Sequence, residues 1–308
     1  MTSSPAVAPA SPVVVVTGAN GLVGARVCAV LAQRGALVRA VVRRAGTAPV
    51  LAGVSEQVGD FADPALAARV VDGADAVVTT VHPMGSDRET QQRVGVEGTS
   101  LLARAARDGG VARFVHVSTC AVYDRRAGVG DVDEASALVG DDADVYAVTK
   151  RDTDAALAGI EGITRVLVRP PAILGAGETS VWNTLRPAEI RDDEQHRHTN
   201  PARTFAWVHV DDLATLVADV AAGGVPSGAD VSSGPVEGGC TAVDVAGEPA
   251  TAGDYVGTVT KALGLAPVWD DDLPAWTGQI STDRARGWGW APAVTLEQAL
   301  AELAGGLR

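Results

Sequence analysis

The chain has 308 residues, a formal net charge of −13 and an aromatic content of 4%. That length can bury a large core, and it fits one domain with an appended lobe better than two independent domains. The acidic balance argues against a general affinity for nucleic acid or anionic lipid, although it leaves room for a local basic pocket. Residues 1–12, rich in Ser, Pro and Ala, read as a loose tail without the basic start and apolar run of a secretory signal. No stretch approaches the roughly 18 apolar residues of a membrane span, so no membrane partner is expected. Cys28, Cys120 and Cys240 form neither a metal-ligand pattern nor a disulfide framework, and the economical location is the reducing cytoplasm.

Strands and helices alternate through the first 175 residues. Val13–Val16 is a short all-valine run that suits a strand buried on both faces of a parallel sheet. It is followed by a turn with Gly18, Gly21 and Gly24 and by a helix over Ala25–Gln33, which holds Cys28 as a small buried hydrophobe. Strands are predicted at Leu37–Val42, Val54–Val58, Ala76–Val81, Phe114–Ser118 and Thr164–Val168. Helices are predicted near Pro64–Val71, along Gln91–Asp108 and over Tyr146–Ala158. This rhythm predicts right-handed crossovers and an α/β fold with a doubly wound parallel sheet, Rossmann-like, with a smaller C-terminal substrate-binding lobe.

After Gly175 the rhythm breaks. Residues 176–206 read as a mobile segment covering the substrate, and the H-x-H of His196 and His198 belongs to it rather than to a metal site, since no third ligand lies at sensible spacing. A strand resumes at Trp207–Val210, with Asp211 or Asp212 as N-cap of a helix over Leu213–Ala222. Residues 223–239 read as a long loop, followed by a strand at Thr241–Val245 and helices near Ala252–Leu263 and Leu296–Leu303. The expected division is residues 1–175 plus 207–246 for dinucleotide binding and 176–206 plus 247–308 for substrate.

Four motifs carry chemistry. Glycines at a strand–helix turn let backbone N–H groups approach a pyrophosphate at the helix N-terminus, although they can also be packing devices. Tyr146 and Lys150 are spaced i, i+4, so phenol and ammonium share a helix face; a nearby cation lowers a phenol's pKa from about 10. Without such a role they are an ordinary helix pair. Ser118-Thr119 follows a predicted strand, where ligands gather in open α/β sheets, and a hydroxyl there can hold a carbonyl oxygen; it is also a common strand ending. Arg169-Pro170-Pro171 follows the next strand and suits a rigid wall beside a flat ring, or simple strand termination.

Taken jointly and in this order, these pieces resemble the extended short-chain dehydrogenase/reductase family, also described as the NAD-dependent epimerase/dehydratase family. The resemblance runs through Gly59-Asp60, Asp75-Ala76-Val77-Val78, Phe114–Thr119, His209-Val210-Asp211-Asp212 and Trp288–Pro292, and so covers essentially the whole chain. It implies Thr119 as the catalytic hydroxyl, Tyr146 as general acid or base, and Lys150 as the residue that lowers the phenol's pKa and holds the nicotinamide ribose. It further implies Gly18, Asn20, Gly21 and Leu22 around the pyrophosphate, Asp60 and Phe61 at the adenine, Thr80 and Val81 at the ribose, and Pro170 with its neighbours beside the nicotinamide.

Cofactor choice is read at the end of the second strand. NAD-preferring members place an acid about twenty residues past the glycines. Here Arg43 and Arg44 stand there, with no acid between Leu37 and Ala52, which suits the 2′-phosphate of NADP(H) unless both are merely solvated. An NADPH preference favours net reduction of a ketone or aldehyde on a bulky small molecule, as in a secondary-metabolite (polyketide) ketoreductase of antibiotic biosynthesis. A sugar-nucleotide epimerase or dehydratase is the alternative, with Arg186, Arg191, Arg197 and Arg203 available for a diphosphate. A silent dinucleotide sensor is a third reading, and a homodimer is one admissible assembly. Two departures from the family stand out. Gly95 replaces the usual Asn ahead of Val96-Glu97-Gly98-Thr99. Nine acids against two bases between residues 130 and 161 could also raise the Tyr146 pKa.

Overall fold

A computed structural model describes residues 11–307. The tail expected over Met1–Pro12 therefore falls almost wholly outside the described residues. The strands are β1 (Val13–Thr17), β2 (Leu37–Val42), β3 (Val54–Val58), β4 (Ala76–Thr79), β5 (Arg113–Val117), β6 (Thr164–Arg169), β7 (Ala172–Leu174), β8 (His198–Thr199), β9 (Trp207–His209), β10 (Cys240–Asp244) and β11 (Val268–Trp269). Seven of them form one parallel sheet in the order β10-β6-β5-β4-β1-β2-β3. The order reverses between β1 and β4. Their carboxyl ends therefore open a crevice at the switch point, where ligands of open α/β sheets bind.

The helices are α1 (Leu22–Gln33), α2 (Pro64–Val71), α3 (Arg88–Gln91), α4 (Thr99–Asp108), α5 (Val145–Ala158), α6 (Arg186–Asp192), α7 (Val210–Ala221), α8 (Ala252–Leu263), α9 (Asp283–Gly287) and α10 (Leu296–Gly306). The valine run of β1 is buried on both faces. Val14 and Val16 pack with Val27 and Leu31 of α1 and Leu213 and Val217 of α7. Val15 points the other way, into a core with Leu66 of α2, Leu102 of α4 and Leu157 of α5. A separate core joins Leu174, Ile190, Trp207, Tyr255 and Leu303.

The structure departs from the sequence reading at several places. The helix predicted along Gln91–Asp108 is divided into α3, a wide-turned π-helical stretch over Gln92–Gly98, and α4. Periodicity cannot signal that widening. Gly98 lets it fit, because a Cβ there would stand 3.0 Å from the Ala62 methyl. Strand β7 follows directly on Pro170-Pro171, where simple termination was one reading, and pairs with β9 outside the main sheet. Helix α7 begins at Val210, and its N-cap is His209, whose Nδ1 accepts from the Asp211 N–H at 3.3 Å, not Asp211 or Asp212. Asp212 instead accepts from the N–H groups of Ala293 and Val294 at 3.0 and 3.1 Å, tying α7 to the C-terminal segment.

Residues 176–206 carry secondary structure and some core contacts of their own. They hold helical turns over Val181–Leu185 and α6, bury Ile190 completely, and receive a 2.7 Å hydrogen bond from the Tyr255 hydroxyl at the Trp182 carbonyl. His196 and His198 belong to this segment. His198 Nδ1 lies 2.8 Å from Asp270 Oδ2, and Arg186 donates to His196 Nδ1 at 3.2 Å.

Candidate active site

The turn after β1 is shaped by its own glycines. Gly18 has φ +68°, and a Cβ there would stand 2.6 Å from Thr80 Oγ1. A Cβ on Gly24 would lie 2.1 Å from the Gly18 carbonyl oxygen, so α1 packs against the turn only through glycine. Gly21 is different: a Cβ there would meet only the Gly18 oxygen, at 3.4 Å. No side chain caps the start of α1, and the Leu22 N–H donates to Thr179 Oγ1 at 3.2 Å. Gly18, Asn20, Gly21 and Leu22 all face one continuous cleft of ≈ 1920 Å³. Drug-sized ligands occupy pockets of roughly 300–1,000 Å³, so this cleft has room for a dinucleotide and a second molecule.

At one end of the cleft lie Arg43, Arg44, Asp60 and Phe61. Both arginines are exposed, and neither makes an ion pair among the described residues. Asp60 accepts from the Ala62 N–H at 3.0 Å, and Phe61 is buried. Thr80 and Val81 line the middle, with the Thr80 hydroxyl donating to the Thr17 carbonyl at 2.9 Å. A helix N-terminus with no side chain bonded at its N-cap, an uncrowded Gly21 and basic side chains on the same cleft form a cradle that fits a nicotinamide dinucleotide.

The other half of the cleft holds Thr119, Tyr146 and Lys150. Thr119 follows β5 and caps a short turn by accepting from the Ala121 N–H at 3.1 Å. Asp144 caps α5 by accepting from the Tyr146 N–H at 2.8 Å, which places the phenol in the helix's first turn. Lys150 comes one turn later and is buried. Its ammonium donates to the Val117 carbonyl at 2.7 Å, and burial pulls its pKa down to about 8 against the opposing pull of Asp154. Burial dominates at Tyr146 and raises the phenol above its ordinary value; Cys120, Asp154 and Asp144 add to that rise and Thr119 opposes it. The effect of nearby acids raised from the sequence is thus present but secondary to burial.

Pro170 does not face the cleft. It is buried behind it, accepting at its carbonyl from the Cys120 N–H at 2.8 Å, while Pro171, Ala172 and Ile173 form the wall. Two prolines in succession point opposite ways, and the sequence alone does not say which one turns inward.

Several cleft residues carried no recognisable signal in the sequence. His82, just past β4, lies edge-on to the Tyr146 ring at 5.0 Å. Arg125 stands over the Trp276 ring at 5.3 Å, and Phe205 and Trp182 line the same cleft, together with Arg203, the one of the four arginines named for a diphosphate that does so. These residues come from remote segments, so no local spacing announces them.

The chain belongs to the NAD dependent epimerase/dehydratase family, whose model matches residues 14–227. Members of this family are nicotinamide-dinucleotide enzymes that include oxidoreductases and epimerases. The 3 beta-hydroxysteroid dehydrogenase/Delta 5→4-isomerase of Mycobacterium tuberculosis is 30% identical over 184 residues, covering 56% of this chain and 50% of that protein. The 4-hydroxy-2-methyl-3-oxo-4-farnesyl-3,4-dihydroquinoline-1-oxide ketoreductase of Stigmatella aurantiaca is 33% identical over 172 residues, covering 54% of this chain and 51% of that protein. The matches thus span about half the length of these relatives. Among solved structures, the Bordetella bronchiseptica enzyme WbmH, in complex with NAD+, superposes with a TM-score of 0.76 at 21% identity, over 97% of this chain and 99% of that one. It shares the fold. Among the described residues no helix is long and apolar enough to cross a membrane.

Proposed function

We propose that the protein reduces a ketone or aldehyde carbonyl on a bulky small molecule with NADPH. The observation that carries this reading is that Thr119, Tyr146 and Lys150 face the same cleft as Arg43 and Arg44. Gly18, Asn20, Gly21 and Leu22 would hold the pyrophosphate, Asp60 and Phe61 the adenine, Thr80 and Val81 the adjoining ribose, and Arg43 and Arg44 the 2′-phosphate. Pro171 and its neighbours would flank the nicotinamide in the place expected of Pro170. The bound cofactor supplies the hydride.

The chain's own groups orient the substrate and handle the proton. A half-buried phenol that desolvation holds above its ordinary pKa is protonated at neutral pH, the form that donates from Oη to a carbonyl oxygen. The Thr119 hydroxyl would donate to the same oxygen, fixing it within reach of the phenol. Lys150, buried beside them, would hold the nicotinamide ribose and balance negative charge left on the phenol after transfer. A tailoring role on a natural product is consistent with Trp182, Phe205 and Trp276 at the substrate end, which suit a large, partly flat molecule.

A sugar-nucleotide substrate is the second reading, and Arg125 and Arg203 favour it. Both line the cleft without an ion-pair partner among the described residues, and partial burial lowers the pKa of Arg125. By contrast, Arg186, Arg191 and Arg197 are paired with Glu189, Asp192 and Glu194. Following both NADPH oxidation and product formation with bulky aromatic ketones and with nucleotide-sugars separates the two. Reduction of the ketones alone, lost about 10²-fold in Tyr146→Phe, is the outcome expected for the first reading. Conversion of a nucleotide-sugar without net NADPH consumption would replace it with the second.

A further inference from the structure

The wall beside Tyr146 is built from residues that no motif singled out. His82 leaves the end of β4 and enters the cleft. Its Nε2 lies 2.9 Å from Gln91 Oε1, and Gln91 Nε2 donates to the Ser86 carbonyl at 2.8 Å. The second bond fixes which end of the amide faces the imidazole, so the ring proton is assigned to Nε2 and His82 donates. Thr149, which sits between Tyr146 and Lys150 on α5, is buried; its hydroxyl lies 2.8 Å from the Val145 carbonyl and 3.1 Å from the same Gln91 oxygen, sharing one proton between them, and His82 Nε2 lies 3.4 Å from it. The imidazole is thus held to the helix that carries the phenol, and it meets the Tyr146 ring edge-to-face, with centroids 5.0 Å apart and planes at 84°.

Room for this ring comes from Gly95. A Cβ at that position would stand 3.1 Å from His82 Nδ1 and 3.2 Å from Cε1, a contact tight enough that the imidazole would have to yield by a few tenths of an ångström. Gly95 lies in the π-helical stretch over Gln92–Gly98, a backbone form that frequently marks functional sites. A missing side chain, a widened helical turn and an imidazole with a fixed tautomer therefore meet at one point against the phenol.

We infer that His82 is a positioning residue for Tyr146, seated by Gly95 and locked by Gln91 and Thr149, which fixes the direction of the phenol and screens it from water. The inference rests on the reading of Tyr146 as proton donor. His82 acts as a neutral ring, since burial and the nearby Lys150 ammonium bring its pKa down to about 4. The other ionisable groups felt by the pair are Asp144, the N-cap of α5, Asp154 on α5, Cys120 after β5, and His116 on β5.

The first measurement needs no substrate. The absorbance titration of the Tyr146 phenolate is isolated as the difference between the wild-type protein and Tyr146→Phe. His82→Ala should move it down toward an ordinary phenol, because the burial that raises it is relieved. His82→Phe, which keeps a ring against the phenol, should leave it where it is. With a carbonyl substrate, His82→Ala should lower kcat about tenfold with KM little changed, and Gly95→Ala should produce a smaller loss of the same kind. If His82→Ala does not fold, the phenolate titration of Gly95→Ala decides, with the same downward shift expected. A phenolate titration unmoved in the folded variant, or moved equally by His82→Phe, overturns the inference. If no carbonyl compound is reduced while the phenolate shifts as stated, His82 keeps its role and the reductase reading alone fails.

Discussion

Lys150 donates to the Val117 carbonyl at 2.7 Å, so the ammonium of α5 is bound to the last residue of β5. The bond joins the two elements that carry Tyr146 and Thr119. It also holds a positive charge in a buried place, and that has a cost visible in the pH dependence of stability. The folded-state pKa is lowered from 10.5 to about 8 by burial. Below pH 8 both states carry the proton and the folded state bears the full penalty. Between about 8 and 10.5 the unfolded chain keeps the proton that the folded chain gives up, so this group's contribution to stability rises with pH. The full span is on the order of 3 kcal/mol. Urea unfolding of wild type and Lys150→Met at pH 7 and pH 10 checks it: the difference should move in favour of the wild type at the higher pH. A difference independent of pH would mean that the lysine is not desolvated as the geometry requires.

Arg43 and Arg44 stand exposed on the cleft, just past the carboxyl end of β2. If they receive a 2′-phosphate, wild type should bind NADPH well ahead of NADH. The double variant Arg43→Ala/Arg44→Ala should then lose about 10- to 100-fold in NADPH affinity with little change for NADH. Added salt should narrow the wild-type preference, because both guanidiniums are solvated. Fluorescence titration with both nucleotides at two ionic strengths is the measurement. Equal binding of the two nucleotides by wild type would remove the NADP(H) assignment.

Gly24 and Gly21 make opposite demands on the same turn. A methyl on Gly24 would be driven into the Gly18 carbonyl, which is backbone and cannot rotate away, whereas a methyl on Gly21 meets nothing closer than 3.4 Å. Gly24→Ala should therefore cost about 1–3 kcal/mol of stability and weaken nucleotide binding with it. Gly21→Ala should leave the melting temperature nearly unchanged and still lower nucleotide affinity, because its methyl would enter the space left for a pyrophosphate. Calorimetry with and without nucleotide separates the two; a Gly21→Ala protein that binds as wild type would show that the turn does not touch the ligand.

What the sequence made legible is what local spacing encodes. Four valines before a glycine turn specify a buried strand and its crossover helix, and an i, i+4 tyrosine and lysine specify a shared helix face. Thr119 is placed by standing directly past a predicted strand. The structure brings all of these to one cleft. Features that depend on remote partners were not legible. The cap of α7 is His209, and Asp212, inside the first turn, bonds instead to the backbone at Ala293 and Val294, 81 and 82 residues on. His82 meets Tyr146 only after β4 and α5 have packed on the sheet. Trp182, Phe205 and Tyr255 make residues 176–206 part of a core, although their polar composition reads as loop.

Asp154 and Arg169 form a buried ion pair at 3.0 Å, with side chains 4% and 7% exposed, directly behind Lys150. Arg169 also donates to the Tyr123 hydroxyl at 2.7 Å, and that hydroxyl donates to Asp244 at 2.8 Å. Breaking such a pair from one side leaves a charge without compensation, at a cost of about 3–5 kcal/mol. Arg169→Met should therefore be strongly destabilising, and the loss should depend on pH. Burial already raises the Asp154 pKa while Arg169 holds it down; without the arginine it rises further. A carboxyl whose folded pKa lies above its unfolded value binds more protons when folded, so stability falls as pH rises through that window. The penalty of Arg169→Met should thus be smaller at pH 5 than at pH 8. Arg169→Met/Asp154→Leu, which removes both charges, should recover part of the lost stability at pH 8. Thermal melts of the three proteins at both pH values test this. A double variant no more stable than Arg169→Met would place the loss in the Tyr123–Asp244 arm rather than in the stranded carboxylate.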